Sequence, residues 1–216
     1  MFPELTRDDV FRIETRRLWL RWPRLEDAED IAREAGKPEV AEMTARIPVG
    51  MNRQQAESLI ARGRARNEAG TAIWLALNPL DNPEQVIGIV SILVEEGHAP
   101  EFGYWLAQPF WGSGLTTEAA QALVDVFFAV TPLEVLGASA LPYNAASRRV
   151  LKKCGFALVG NGLAEAPARG GPQAVDFFRL DRSTWAALKG WREPHFQRQD
   201  GSSEAQRRQQ MQMAAK

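Results

Sequence analysis

Between a segment that reads as a strand and one that reads as a helix lies WGSGLTTEA, residues 111–119, with two glycines and three hydroxyl side chains at the junction. The first N–H groups of a helix have no partner inside it, and the aligned peptide dipoles add partial positive charge there. A glycine turn feeding a helix start is therefore suited to a phosphate. Gly112 and Gly114 let a ligand come close to the backbone, and Thr116 and Thr117 add hydroxyl donors. No lysine follows the glycines, which excludes the loop that cradles a γ-phosphate with magnesium. The dinucleotide fingerprint needs a parallel βαβ unit, whereas the strands before this loop read as an antiparallel meander. A diphosphate held by backbone N–H groups remains. A Gly-x-Gly turn also serves simply to pack a helix close to a strand, and spacing by itself leaves both roles open.

A second cluster is YNAASRRVLKKCGF, residues 143–156. Asn144 is placed to cap a helix, and Ser147 falls in its first turn, either as a hydroxyl donor or as an ordinary first-turn residue. Arg148, Arg149, Lys152 and Lys153 form a basic face that either complements the helix C-terminus in solvent or reaches phosphate. Cys154 shares the apolar stripe of Val150 and Leu151 and reads as core. Two carboxylates, Glu101 at the start of a strand and Glu165 in a later loop, are candidate general bases or plain surface acids. His98 and His195 lie without ligand spacing, so no metal site is expected.

The elements that must position these groups follow from periodicity. With 216 residues, 45% hydrophobic and 25% charged, the chain has globular composition and length for one domain, expected over residues 1–192, with a polar tail from 193 to 216. A net charge of −1 gives no global reason to bind nucleic acid or an anionic membrane. A single cysteine rules out an intrachain disulfide, and no apolar signal or spanning segment is evident, so a reducing cytoplasm is the expected compartment. Strands are predicted at residues 17–22, 71–77, 86–94, 101–106, 134–140, 156–159 and 175–180. Helices are predicted at 25–35, 53–67 (capped by Asn52 with Gln55), 115–130 and 145–154. The order βααβββαβαββ gives a mixed α/β (α+β) fold: a twisted, mostly antiparallel sheet flanked by helices.

This order, with EFGYWLAQPFWGSGLTTEA from Glu101 and the cluster from Tyr143, resembles the GNAT superfamily of acyl-CoA-dependent N-acyltransferases, and most of all its RimJ/RimL branch. The resemblance covers residues 15–185. It implies that Trp111, Gly112, Ser113, Gly114, Leu115 and Thr116 match the pyrophosphate loop, Gln/Arg-x-x-Gly-x-Gly/Ala. Trp111 stands where the family has a polar residue, and Thr116 where it has a small one. It further implies that the strand through Tyr104, Trp105 and Leu106 splays from its neighbour, so that the pantetheine arm of acetyl-CoA lies along it like an added strand. Asn144 matches a residue that contacts this arm. Ser147 matches a serine assigned to protonate the departing thiolate, since Leu151 occupies the position of the tyrosine that other members use. Glu165 lies within about a residue of a glutamate assigned as base.

The implied reaction is transfer of an acetyl group from acetyl-CoA to a primary amine by direct attack in a ternary complex. Neither a metal nor a covalent enzyme intermediate is required. An α-amine, with a pKa of about 7.8, is roughly one-third neutral at about pH 7.5, whereas about 0.1% of lysine is. Deprotonation thus costs about 0.6 kcal/mol for the first and about 4 kcal/mol for the second, which makes a protein N-terminus compatible with a weakly engaged carboxylate such as Glu101 or Glu165. Composition does not choose among acceptors, nor between monomer and homodimer. An acyl-CoA sensor without turnover is the alternative from another class.

Overall fold

The structure, a computed structural model, describes residues 2–192; the predicted polar tail lies outside them. Eight strands form one sheet in the order β1-β2-β3-β4-β5-β6-β8-β7, and every neighbouring pair is antiparallel except β5 with β6. The strands are β1 Arg12–Glu14, β2 Leu18–Arg21, β3 Ala72–Pro79, β4 Gly88–Leu93, β5 Glu101–Leu106, β6 Val135–Ala140, β7 Ala157–Ala164 and β8 Gln173–Asp181. The helices are α1 Ala28–Ala35, α2 Pro38–Ala41, α3 Arg53–Glu68, α4 Leu115–Val130, α5 Ala145–Lys153 and α6 Arg182–Arg192. No helix among the described residues is long and apolar enough to cross a membrane.

Alternation along β3 shows how the two layers are built. Ile73, Leu75 and Leu77 enter the core under α4, while Ala72, Trp74 and Ala76 enter the core under α1 and α3. The stripe on α4 is buried as its period requires, through Leu115, Ala119, Leu123 and Phe127, joined by Ala120, Val124 and Phe128. The Asn52–Gln55 capping box that opens α3 is present in both directions, each bond at 2.9 Å.

The expected order lacks β1, α2 and α6. β1 has only three residues, too few for alternation to register, and α6 begins directly where β8 ends. The sequence also ends the seventh strand too early, at Val159, because Gly160 and Gly162 read as loop. In the fold β7 continues to Ala164, and Gly162 is needed there: a Cβ at that position would lie 3.0 Å from the ring of Phe177 on β8.

One polar residue substitutes for a missing strand. β2 covers β3 only over residues 76–79, so Trp74 has no strand beside it on that edge. Asn67, fully buried on α3, supplies the partner groups: its Oδ1 accepts from Trp74 N at 2.8 Å and its Nδ2 donates to Trp74 O at 3.0 Å. Asn67→Ala leaves two buried backbone groups unpaired and is expected to cost about 2 to 4 kcal/mol, lowering Tm by roughly 5 to 12 °C in a thermal melt.

Candidate active site

The site begins where two strands part. Glu101 of β5 pairs with Gly137 of β6 and Phe102 with Ala138, and the ladder goes no further. Ala107 N donates to Ile87 O on the β4 side at 2.8 Å, while Gly137 N reaches back to Pro100 O at 2.8 Å. By the two-residue alternation of a ladder, Tyr104 and Leu106 therefore turn their backbone N–H and C=O groups toward the opening between β5 and β6. Trp105, the third residue expected along this strand, is turned the other way and buried in the α1–α3 core.

Past β5 a short turn at Gln108–Phe110 leads into the glycine loop. Gly112 and Gly114 adopt φ of +74° and +82°, left-handed conformations that favour glycine. The backbone N–H groups of Gly112, Ser113, Gly114, Leu115, Thr116 and Thr117 make no hydrogen bond among the described residues, and the helical series opens with Glu118 N to Gly114 O at 3.1 Å. Consecutive unsatisfied donors at the start of a sixteen-residue helix form an anion cradle. The Ser113 hydroxyl donates to Phe110 O at 2.5 Å, which leaves this residue its backbone N–H for a ligand. Trp111, in the position expected to be polar, donates its indole N–H to Leu106 O at 2.6 Å and so ties the loop to the end of β5.

Arg17, read from sequence only as the start of a strand, reaches this loop. Its Nη1 donates to Ser113 O at 3.0 Å and its Nε to Glu118 Oε2 at 2.7 Å, while its backbone N–H and the Thr15 hydroxyl both donate to Glu118 Oε1, at 2.8 and 2.7 Å. Burial by itself would raise the Glu118 carboxyl. The hydrogen bonds from Thr15 and Arg17 outweigh it and hold this group below the usual carboxylate range. No local pattern announces the clasp, because its members lie about a hundred residues apart.

On the opposite side of the opening stands α5. Asn144 caps it, Oδ1 accepting from Ser147 N at 2.9 Å, as its residue type predicts. The Ser147 Oγ accepts from the Tyr104 phenol at 2.9 Å. Burial pushes the Tyr104 pKa up to about 12, so the phenol remains a neutral donor. Sequence analysis marked Tyr104 for its strand position alone. The signal for its side chain was available: it alternates onto the core face with Phe102, and an inward tyrosine needs a partner for its O–H.

The carboxylates lie elsewhere. Glu101, exposed, accepts from the Ser139 hydroxyl at 2.9 Å, and strand alternation puts it on the sheet face opposite Tyr104. Glu165, exposed just after β7, has no hydrogen bond among the described residues, and nothing joins it to Glu101 or Ser147. The connection that follows it is docked on the segment after α2: Ala168 N donates to Ala45 O at 3.0 Å, and the Arg169 guanidinium donates to the carbonyls of Ala41, Thr44 and Ile47. Of the basic face on α5, Arg149, Lys152 and Lys153 are solvated, but Arg148 is paired with the largely buried Asp176 at 2.9 Å. Cys154 is buried. Among the described residues no cluster of three or more His, Cys, Asp or Glu could hold a metal. A cavity of about 980 Å³ beside the N-terminal segment, lined in part by Trp22 and Arg64, shares no residue with the opening or the loop.

A sheet parted beside a glycine loop that opens a helix is the arrangement the described residues give, and comparison with known proteins says which family has it. Residues 17–157 match the family described as an acetyltransferase (GNAT) domain, and the chain belongs to that family. It is an acetyltransferase. The uncharacterized N-acetyltransferase p20 of Bacillus licheniformis is 29% identical over 144 residues, 66% of this chain and 80% of that protein. Among solved structures, Mycobacterium smegmatis RimJ in complex with CoA-disulfide is similar with a TM-score of 0.64 at 22% identity, over 82% of this chain and 94% of that one. The ribosomal-protein-S5-alanine acetyltransferase of Vibrio fischeri is similar with a TM-score of 0.67 at 19% identity, over 81% and 98%.

The Glu118 clasp yields a pH dependence. A carboxyl whose folded pKa lies below its unfolded one contributes its full stability above the unfolded value and loses it as pH falls through the folded value. Glu118→Gln is expected to cost about 1 kcal/mol at about pH 7, and the difference from the unsubstituted protein should shrink as pH falls through the lowered folded pKa, below the usual carboxylate range. Urea unfolding of both proteins across this range measures it.

Proposed function

We propose that the chain transfers an acetyl group from acetyl-CoA to a primary amine, with a protein N-terminal α-amine as the favoured acceptor. The observation that carries this reading is the separation of β5 from β6 beside six unpaired N–H groups at a helix start: one surface offers amide partners to a pantetheine arm, the other offers donors to a diphosphate. RimJ, on a similar fold, is in complex with CoA-disulfide, which supports a CoA-type ligand here. A neighbour named for acetylating a ribosomal protein supports a protein acceptor.

In this reading the diphosphate sits on the N–H groups from Gly112 to Thr116, and the arm runs along Tyr104 and Leu106 toward Asn144 and Ser147. The amine attacks the thioester carbonyl directly, the C–S bond breaks with its electron pair on sulfur, and Ser147 gives that sulfur a proton. Glu101 lies on the sheet face away from Ser147, so base and acid serve the reaction from opposite sides of the opening; it takes the amine proton directly or through water, with Glu165 as the second candidate. Cys154, buried, takes no part. Most of the acceleration comes from holding the two reactants together and from backbone donors near the thioester oxygen.

Acetyl-CoA turnover against a mixed set of peptides and small amines, with mass detection of the acetylated product, tests the activity; peptide N-termini are expected to lead. Gly114→Val both strains a left-handed position and puts a side chain where the phosphate approaches, so CoA affinity should fall at least about tenfold, or about 1.4 kcal/mol. Undiminished affinity in a folded variant removes the diphosphate from this loop. Ser147→Ala should lower kcat by about ten- to a hundredfold with little change in acetyl-CoA affinity, the low end of proton-transfer catalysis. A rate equal to that of the unsubstituted enzyme, measured where chemistry limits, assigns the proton to water.

A further inference from the structure

We propose that Tyr104 is a positioning residue for acyl transfer, its phenol fixing the direction in which Ser147 presents its proton; this rests on Ser147 acting as the acid. A hydroxyl carries one proton and two lone pairs, and it rotates freely about the Cβ–Oγ bond until something holds it. Here the phenol lies 3.4 Å from Ser147 O but donates over the shorter distance, 2.9 Å, to Ser147 Oγ and thereby occupies one lone pair. The nearby acceptor Asn144 Oδ1 takes the Ser147 backbone N–H at 2.9 Å and receives no bond from the Ser147 hydroxyl. Among the described residues, the Ser147 hydroxyl donates to nothing. Its proton is therefore turned away from the tyrosine and available to a group arriving in the opening beside β5.

The phenol is itself held. Tyr104 lies on the strand whose backbone borders the opening, its ring packs against Phe102 at 5.5 Å, and Phe102 stacks on Phe156 just beyond α5. Strand, ring and helix thus fix the distance between phenol and serine, and burial keeps the phenol protonated.

In the step itself, the C–S bond breaks, its electron pair goes to sulfur, and the Ser147 proton follows. Ser147 Oγ becomes partly anionic at that moment and recovers a proton from water, replacing the one the attacking amine has released. The Tyr104 O–H bond is not broken. Its hydrogen bond strengthens as charge grows on Oγ, so it contributes more in the transition state than in the ground state.

A double-mutant cycle on the full-length protein tests this with Tyr104→Phe, which keeps the ring and deletes the hydroxyl. Tyr104→Phe is expected to lower kcat about tenfold, the effect of one hydrogen bond to an oxygen gaining charge, while the KM for acetyl-CoA and the Tm stay nearly constant. In the Ser147→Ala background the same substitution should cost nothing further, because the phenol acts only through that hydroxyl. Losses that multiply show Tyr104 to be a packing residue and overturn the inference. A Tyr104→Phe enzyme at full rate, with Ser147→Ala still impaired, overturns it and leaves the acid assignment standing. Full rate in Ser147→Ala alone removes both.

Discussion

Strands β5 and β6 exchange hydrogen bonds over two residues and then separate, and the rest of the site depends on that parting. Within a sheet, each backbone N–H and C=O has a neighbour to satisfy it; where a strand turns away, the groups on the open edge must find water or a ligand. Tyr104 and Leu106 border such an edge inside a protein whose sheet is otherwise continuous. One of these groups, Leu106 O, is met by the Trp111 indole N–H at 2.6 Å, and the backbone groups of Tyr104 are left facing the opening. The chain sets α5 on one side of the parting, through the Tyr104–Ser147 contact, and the glycine loop at the end of β5, through the Trp111–Leu106 contact.

The loop is tied down by side chains while its own N–H groups stay unused. Two glycines in left-handed conformations aim successive N–H groups outward, and the side chains around them are occupied in holding the loop: Trp111 to the end of β5, Ser113 to Phe110, Arg17 to Ser113 and Glu118. The donors left over are nearly all backbone. A cation such as Arg17 at a helix N-terminus opposes the dipole, and Glu118, in the first turn, offsets it. The net field at the loop is then set by the helix and its unpaired N–H groups, which favours an anion without requiring a lysine.

Alternation along β5 divides the candidate groups between two faces of one sheet. Glu101 is on the side of α1 to α3; Tyr104 is on the side of α4 and α5, in contact with Ser147. A thioester lying in the opening would meet both sides at once, so attacking amine and departing sulfur need not compete for the same space. Arg169, by bonding the carbonyls of Ala41 at the end of α2 and of Thr44 and Ile47 beyond it, ties the connection after β7 to that segment.

Local chemistry made much of this legible in the sequence. The stripe of α4, the Asn52–Gln55 box, the Asn144 cap and the glycine turn are each decided by residues within a turn or two of one another, and all are present. Where the sequence misled, at Gly160 and Gly162, the reason was not local: β7 continues because it pairs with β8 as far as Ala164, and at Gly162 Phe177 of that strand stands where a side chain would lie. The clasp of Arg17 on Glu118, the partnership of Tyr104 with Ser147, and the placing of Glu101 and Ser147 on opposite faces lie beyond any reading of spacing. They join residues 43 to 101 positions apart, or depend on where two strands stop pairing, and such contacts are fixed only when the two cores pack and set the register of the sheet.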